Sequence, residues 1–332
     1  MQRIEALRAW LASVLGPGAF DLAPASNDAS FRRYFRVRFA DARPSLIAMD
    51  APPGREDCRP YVRVAELFAA AGVHVPAVHE RNLEDGFLLL SDLGDTTYLA
   101  ALSVDSAARL YDDALEALVR IQRASRAGAL PDYDRELLAR ELALFPDWYV
   151  ARQLGRELSG PQRQVLEESF SLVLENNLAQ PRVFVHRDYH SRNLMLSDPN
   201  PGILDFQDAV YGPITYDLVS LLRDAYIAWP EERVIDWCIR YWEKARGARL
   251  PVAADFAEFY RDFDWMGVQR QLKVIGIFAR LCYRDGKQAY LRDQPLVARY
   301  LRGACGRYRE LAPLARLLDE LEPAAKPAGA AS

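Results

Sequence analysis

Hydrophobic and polar positions change their period near residue 95. Before it, short alternating runs dominate. Tyr34-Phe35-Arg36-Val37-Arg38-Phe39 alternates in the manner of a strand, and Phe20–Ala23, Leu46–Asp50, Val75–Val78 and Gly86–Leu90 are further short apolar runs bounded by turn residues. Together they predict a five-stranded sheet. Two helices accompany it: residues 3–15, with Ile4, Leu7, Leu11, Val14 and Leu15 on one side, and residues 57–71, stopped by Gly72. Ser91–Asp95 reads as a linker. Beyond it the period becomes helical, over 97–102, 105–124, 134–153, 160–178, 214–227, 231–246, 254–284 and 293–320. The expected class is α+β in two lobes: residues 1–93 as a small sheet-containing N-lobe and 94–322 as a larger, mainly helical C-lobe, with 323–332 as a disordered tail.

Composition narrows the function classes. The 332 residues leave room for two lobes and a sizeable core. A net charge of −4 gives no electrostatic case for nucleic acid or an anionic membrane. No run approaches the length of a spanning helix, and the first residues show no cationic region followed by an apolar signal core. Cys58, Cys238, Cys282 and Cys305 are scattered without a C-x-x-C, which suits free thiols in a reducing cytoplasm. The expectation is a cytoplasmic protein, monomeric or weakly dimeric. Only four of the 42 basic residues are lysines, the first at Lys244.

The chemistry concentrates in His186-Arg187-Asp188-Tyr189-His190-Ser191-Arg192-Asn193, followed by Leu204-Asp205-Phe206-Gln207-Asp208. An H-R-D-x-x-x-x-N followed by a D-F turn supplies one catalytic carboxylate and two magnesium ligands around a nucleoside triphosphate. Asp188 is the candidate base, accepting the hydrogen bond of the attacking hydroxyl. Asn193 offers a neutral carbonyl oxygen and Asp205 an anionic one, both suited to Mg²⁺. Val183–Val185, Leu194–Leu196 and Gly202–Leu204 are short apolar runs, and two strands joined by the turn at 197–202 would hold the clusters. The order is that of a bilobal protein-kinase-like fold. Tyr211-Gly212-Pro213 follows Asp208 at once, leaving no room for a protein kinase's activation loop.

These segments, with Leu88-Leu89-Leu90-Ser91-Asp92-Leu93-Gly94-Asp95, resemble the aminoglycoside phosphotransferase/choline kinase family over roughly residues 20–300. Ser30–Val37, Met49–Pro53, Asp205–Asp217 and Gly267–Phe278 are similar to one group within it, the anomeric sugar kinases of bacterial cell-wall recycling. The resemblance implies ATP and Mg²⁺ as cofactors. It also implies a small amino sugar as acceptor: N-acetylmuramate or N-acetylglucosamine, phosphorylated at C1. Choline, aminoglycoside or ketosamine kinases share the mechanism, and a nucleotide-binding pseudokinase is the inactive alternative.

One departure stands out. Met49 occupies the third-strand position where kinase-like folds place a phosphate-binding lysine, and this lobe has no lysine. The expected nucleotide contacts are Ser30, Phe31, Arg32 and Arg33 in the loop before the second strand, Ile47 and Met49 on the third, and Ser91, Asp92 and Leu93 at the hinge. Arg32 or Arg33 would supply the missing charge, since a guanidinium fork pairs bidentately with phosphate oxygens. For the acceptor the candidates are His190, Arg192, Asp208, Tyr149, Arg270 and Lys273. The last two belong to a basic stripe with Arg280 and Arg284 that could receive a carboxylate, or pair with Asp262 and Asp264. Asp217 is expected to anchor the catalytic loop.

Overall fold

A computed structural model describes residues 2–16, 18–26 and 31–322. In chain order the elements are α1 (Gln2–Leu15), β1 (Phe20–Ser26), β2 (Arg33–Phe39), β3 (Leu46–Asp50), α2 (Arg59–Ala70), β4 (Val78–Asn82), β5 (Phe87–Ser91), α3 (Tyr98–Ala101), α4 (Ala107–Arg123) and α5 (Arg135–Leu142). A π-helical segment, Phe145–Gln153, precedes α6 (Gly160–Ala179), β6 (Arg182–Val185), β7 (Leu194–Met195), β8 (Gly202–Ile203), β9 (Val210–Pro213) and α7 (Tyr216–Leu222). Then come α8 (Glu231–Gly247), α9 (Phe256–Tyr283), α10 (Gln294–Arg307) and α11 (Ala312–Leu321). The expected tail at 323–332 and Ser30 lie outside the described residues.

The chain divides into two compact units, residues 1–124 with 192–209, and residues 125–191 with 210–332. The first is built on an antiparallel sheet in the order β1-β2-β3-β5-β4. Alternation decides its faces. Val37, Ala48, Phe87 and Leu89 point to one side and close a core with Leu7 and Leu11 of α1. Ile47 and Met49 therefore face the other side, and Met49 is fully buried there. The β7–β8 hairpin pairs Leu194 with Ile203 and Met195 with Gly202, and joins this unit through a bridge between His74 and Gly202.

The second unit is helical apart from β6 and β9, which pair along their length from Arg182↔Pro213 to Val185↔Val210. Its spine is α9, where Phe263, Met266, Val268 and Leu272 are fully buried. Gly276 lets the chain before the π-helical segment come close. A Cβ at this position would lie 2.4 Å from the Leu144 carbonyl carbon.

Several boundaries differ from the sequence expectation, each for a local reason. The fourth strand is Val78–Asn82 rather than 75–78, because Pro76 has no N–H to give a ladder. The helix expected over 134–153 breaks after Leu142, since Pro146 is tolerated only in the first turn of a new segment. The one expected over 214–227 stops at Leu222, where Arg223 turns away to Asp264 and Glu231. The one over 293–320 breaks at Tyr308, which is extended and bonds Asp264 through its hydroxyl (2.9 Å), and restarts with Pro313 in the first turn of α11. Among the described residues no helix is long and apolar enough to cross a membrane.

Candidate active site

The catalytic loop follows β6 in the second unit. Asp217, at the start of α7 and fully buried, accepts the backbone N–H groups of His186 at 2.6 Å and Arg187 at 2.9 Å. This is the anchoring role its sequence position suggested. Arg187 has a left-handed backbone (φ 78°), which a non-glycine residue keeps only where its surroundings fix it. Asp188 comes next. Its N–H reaches His186 Nδ1 (3.2 Å), and its carbonyl accepts the His190 N–H (3.0 Å). Asp224 closes the loop from the far end, accepting the N–H groups of Ser191 and Tyr226, both at 2.9 Å.

Buried cations surround this loop. Lys273 of α9 donates to Glu141 (2.8 Å) and to the Tyr216 hydroxyl (2.9 Å), and Arg270 donates to Ser220 (2.6 Å). Burial alone would raise the Asp188 carboxyl. The positive charges of Lys273, His190, Arg270 and Arg187 overcome that and hold it at about 2. Asp188 is thus ionised across the working pH range and can only accept hydrogen bonds. The opposite holds for Asp217: burial pushes its carboxyl up to about 7, against the two N–H bonds and the Arg270 charge.

Asn193 and Asp205 belong to the first unit. The β7–β8 hairpin brings them together: the Leu204 N–H bonds the Asn193 carbonyl (2.9 Å), and Asn193 Nδ2 lies 3.4 Å from Asp205 Oδ2. Gln207 Nε2 donates to the other Asp205 oxygen at 2.8 Å. Asp205 is also left-handed (φ 62°), and Phe206 is buried against Tyr61 and Phe68 of α2, which fixes the turn. One carboxylate and one amide oxygen make a sparse donor set. That suits Mg²⁺, which usually takes one or two protein carboxylates and completes its shell with water and phosphate.

The expected nucleotide residues fall into distinct roles. Arg33 is committed to Asp50, a fully buried carboxylate gripped from its other oxygen by Arg3 of α1. Arg32 makes a long contact to Glu56 (3.5 Å), and the carboxylates of Glu56, Asp205 and Asp208 support its charge against burial. Phe31 is largely exposed beneath Arg55. Asp92 spends its carboxylate on Arg36 (2.6 Å) and Ser45 (2.7 Å), and the Ser91 hydroxyl accepts the Ala77 N–H. The Asp92 carboxylate is thus committed within the protein. Glu66, the helix acid that would partner a third-strand lysine, is exposed and faces Arg81 instead.

Among the acceptor candidates, His190 sits in the catalytic loop with its ring edge-on to Tyr226 (5.5 Å). Arg192 and Asp208 are exposed residues of the first unit. Tyr149 is buried against Phe145, bonds Glu322, and lines a small cavity with α10 and α11 residues. Helix-face packing, not a sugar platform, explains it. The basic stripe divides. Arg270 and Lys273 are buried and engaged as described, whereas Arg284 pairs with Asp285 at the surface. Asp262 and Asp264 take Asn176 and the Arg223–Arg307 pair respectively. Glu141 and Tyr133 had no signal in the sequence, because each reads as an ordinary helix or loop residue; Tyr216 and Gln269 fall within the Asp205–Asp217 and Gly267–Phe278 strings without standing out in them.

An antiparallel sheet unit, an H-R-D loop anchored by a buried aspartate, and an Asn–Asp pair on a tight hairpin define a phosphotransferase with a protein-kinase-like fold. The chain belongs to the phosphotransferase enzyme family, whose model matches residues 21–252. It is 53% identical to an N-acetylmuramate/N-acetylglucosamine kinase of Pseudomonas aeruginosa, covering 98% of each chain. It is likewise 53% identical to the protein of that name from Neisseria meningitidis serogroup B, covering 97% of this chain and 96% of that one. Among solved structures, a choline/ethanolamine kinase family protein from Mesorhizobium loti shares the fold with a TM-score of 0.62 at 16% identity, covering 95% of this chain and 99% of that one.

Proposed function

We propose that the protein transfers the γ-phosphoryl group of ATP to the anomeric C1 hydroxyl of N-acetylmuramate and N-acetylglucosamine. The observation that carries this reading is the ionised Asp188, held on a loop whose backbone Asp217 and Asp224 fix. The near-full-length similarity to the two sugar kinases supports the choice of acceptor.

The chemistry follows from the groups present. Asp188 accepts the hydrogen bond of the acceptor hydroxyl and aims it in line with the leaving group. A carboxyl held at about 2 is a weak base. Asp188 therefore orients first and takes the proton late, when the phosphoryl group has largely transferred. An anomeric hydroxyl, more acidic than an ordinary sugar alcohol, suits such a base. Asn193 and Asp205 are the residues that would hold magnesium, which neutralises charge on the β- and γ-phosphates when bound. Arg32 is assigned to the phosphates in place of the absent lysine. Lys273 is bound to Glu141 and Tyr216, so it is not assigned to the lactyl carboxylate. Residues 1–93 would supply the nucleotide lobe and 94–322 the acceptor lobe, in a cytoplasmic enzyme.

The test is turnover with ATP and each sugar, the position of the phosphate being read by phosphorus–proton NMR coupling. C1 phosphate on both sugars is expected. Asp188→Asn should lower kcat by roughly 10²–10⁴-fold, the usual span for a general base, at unchanged ATP affinity. Phosphate at C6, or turnover of choline or an aminoglycoside alone, would overturn the acceptor assignment. Wild-type kcat in Asp188→Asn would remove the residue from its role.

A further inference from the structure

Glu141 of α5 has no part in the reaction, yet its carboxylate takes four donors. Its Oε1 accepts Arg187 Nη2 at 2.5 Å and Lys273 Nζ at 2.8 Å. Its Oε2 accepts the Tyr133 hydroxyl and Gln269 Nε2, the latter at 3.2 Å. Four donors fill what a carboxylate can accept. The residue is 5% exposed. Burial works against its charge, and Lys273 and Arg187 with the bonds they donate bring its carboxyl below the ordinary value.

Stability alone is a poor account of this arrangement. Buried ion pairs commonly add little beyond what well-packed apolar residues would give, because desolvation offsets their attraction. Geometry is the better one. Arg187 directly precedes Asp188 and keeps a left-handed backbone that costs free energy unless it is held. It is held at both ends, by Asp217 at the N–H and by Glu141 at the guanidinium, with the Tyr133 ring beneath it at 5.5 Å. We propose that Glu141 is a positioning residue for phosphoryl transfer: by gripping Arg187, with Lys273 beside it, it fixes the turn that presents Asp188. The inference rests on the role given to Asp188 above. Lys273 and Arg187 already act on Asp188 electrostatically. With Glu141 neutralised, Arg187 loses the side-chain contact that helps to hold its left-handed backbone, and the turn that carries Asp188 loosens.

A double-mutant cycle tests this. Glu141→Gln should lower kcat by about 10–100-fold, the scale of a small misplacement of a catalytic group, with KM for ATP unchanged. In an Asp188→Asn background the same change should cost less than about twofold, because its effect acts through the missing carboxylate. A merely structural Glu141 would lower the melting temperature and cost the same factor in both backgrounds; that additive outcome overturns the proposal. Should Glu141→Gln not fold, the paired Glu141→Gln/Lys273→Met variant, which removes equal and opposite charges, decides. It still removes the Glu141 contact to Arg187, so a kcat below that of Lys273→Met alone supports the grip on Arg187, and a kcat equal to that of Lys273→Met refutes it. Failure of Asp188→Asn to lower kcat would instead strike at the proposed function, which keeps the two readings distinguishable.

Discussion

Arg32 and Arg33 are neighbours with the same side chain, yet the structure predicts opposite consequences of removing them. Arg33 is bound to Asp50, which Arg3 holds independently, so truncating Arg33 leaves the buried carboxylate paired. The Arg33 side chain is 48% exposed, and solvent screening limits its loss to about 1 kcal/mol of stability or less. Arg32 sits among Glu56, Asp205 and Asp208, in a unit whose third strand carries Met49 where a lysine would be expected. If it meets the phosphates, Arg32→Ala removes a hydrogen bond to a charged group, worth about 1.5–3 kcal/mol. At 0.59 kcal/mol per RT, that is about a 10- to 160-fold rise in KM for ATP. The assay is steady-state turnover at saturating N-acetylglucosamine and fixed free Mg²⁺, with ATP varied, then the converse with sugar varied. Arg32→Ala should move only the ATP constant, and Arg33→Ala neither. An Arg32→Ala enzyme within twofold of wild type in KM for ATP, or an Arg33→Ala enzyme that carries the defect, would refute the assignment.

Three further outcomes are expected. Asp205→Ala should weaken ATP binding in the presence of Mg²⁺ and leave Mg²⁺-free nucleotide binding unchanged, as calorimetry would read. Asp217 titrates near 7 when folded against an ordinary 3.8, so the folded state binds its proton more readily. That contribution to stability is present below about pH 4 and is lost as the pH rises through 7; the melting temperature of Asp217→Asn should fall less between pH 5 and 8 than that of the wild type. Gly276→Ala would press a methyl group against Leu144 backbone atoms at 2.4 and 2.5 Å. It should cost about 1–3 kcal/mol or more in denaturant unfolding, and a variant as stable as wild type would show that α9 can shift there.

What was legible in the sequence was whatever depends on near neighbours. Asp188, Asn193 and Asp205 lie in two short runs, and the hairpin that joins the last two is read from Leu194–Met195, the turn and Gly202–Ile203. The five strands and the long helices follow from period alone. Boundaries failed where one residue overrode the period: Pro76 in a strand, Pro146 and Pro313 in helices. The basic stripe was legible only in its spacing. Spacing places Arg270 and Lys273 on one helical face but does not say what that face meets, and it meets Ser220, Tyr216 and Glu141 rather than solvent. Glu141 itself was invisible because its partners stand at 133, 187, 269 and 273, and no local pattern links those positions.

The backbone holds a second layer that the sequence hides. Among the described residues only Arg187, Asp205 and Arg249 adopt positive φ without being glycine. Arg187 immediately precedes the proposed base and Asp205 is a proposed metal ligand. Neither arginine nor aspartate announces a left-handed turn as glycine does, so nothing in the motif predicts the strain. It persists because each turn is overdetermined. Asp217 and Glu141 hold Arg187 from backbone and side chain; Gln207 and the buried Phe206 hold Asp205. Glycine at either position would relax the backbone and surrender the side chain that does the holding or the chemistry. The local cost of two unfavourable conformations is therefore offset by contacts made far away in the chain, and the direction in which Asp188 and Asp205 point depends on those contacts.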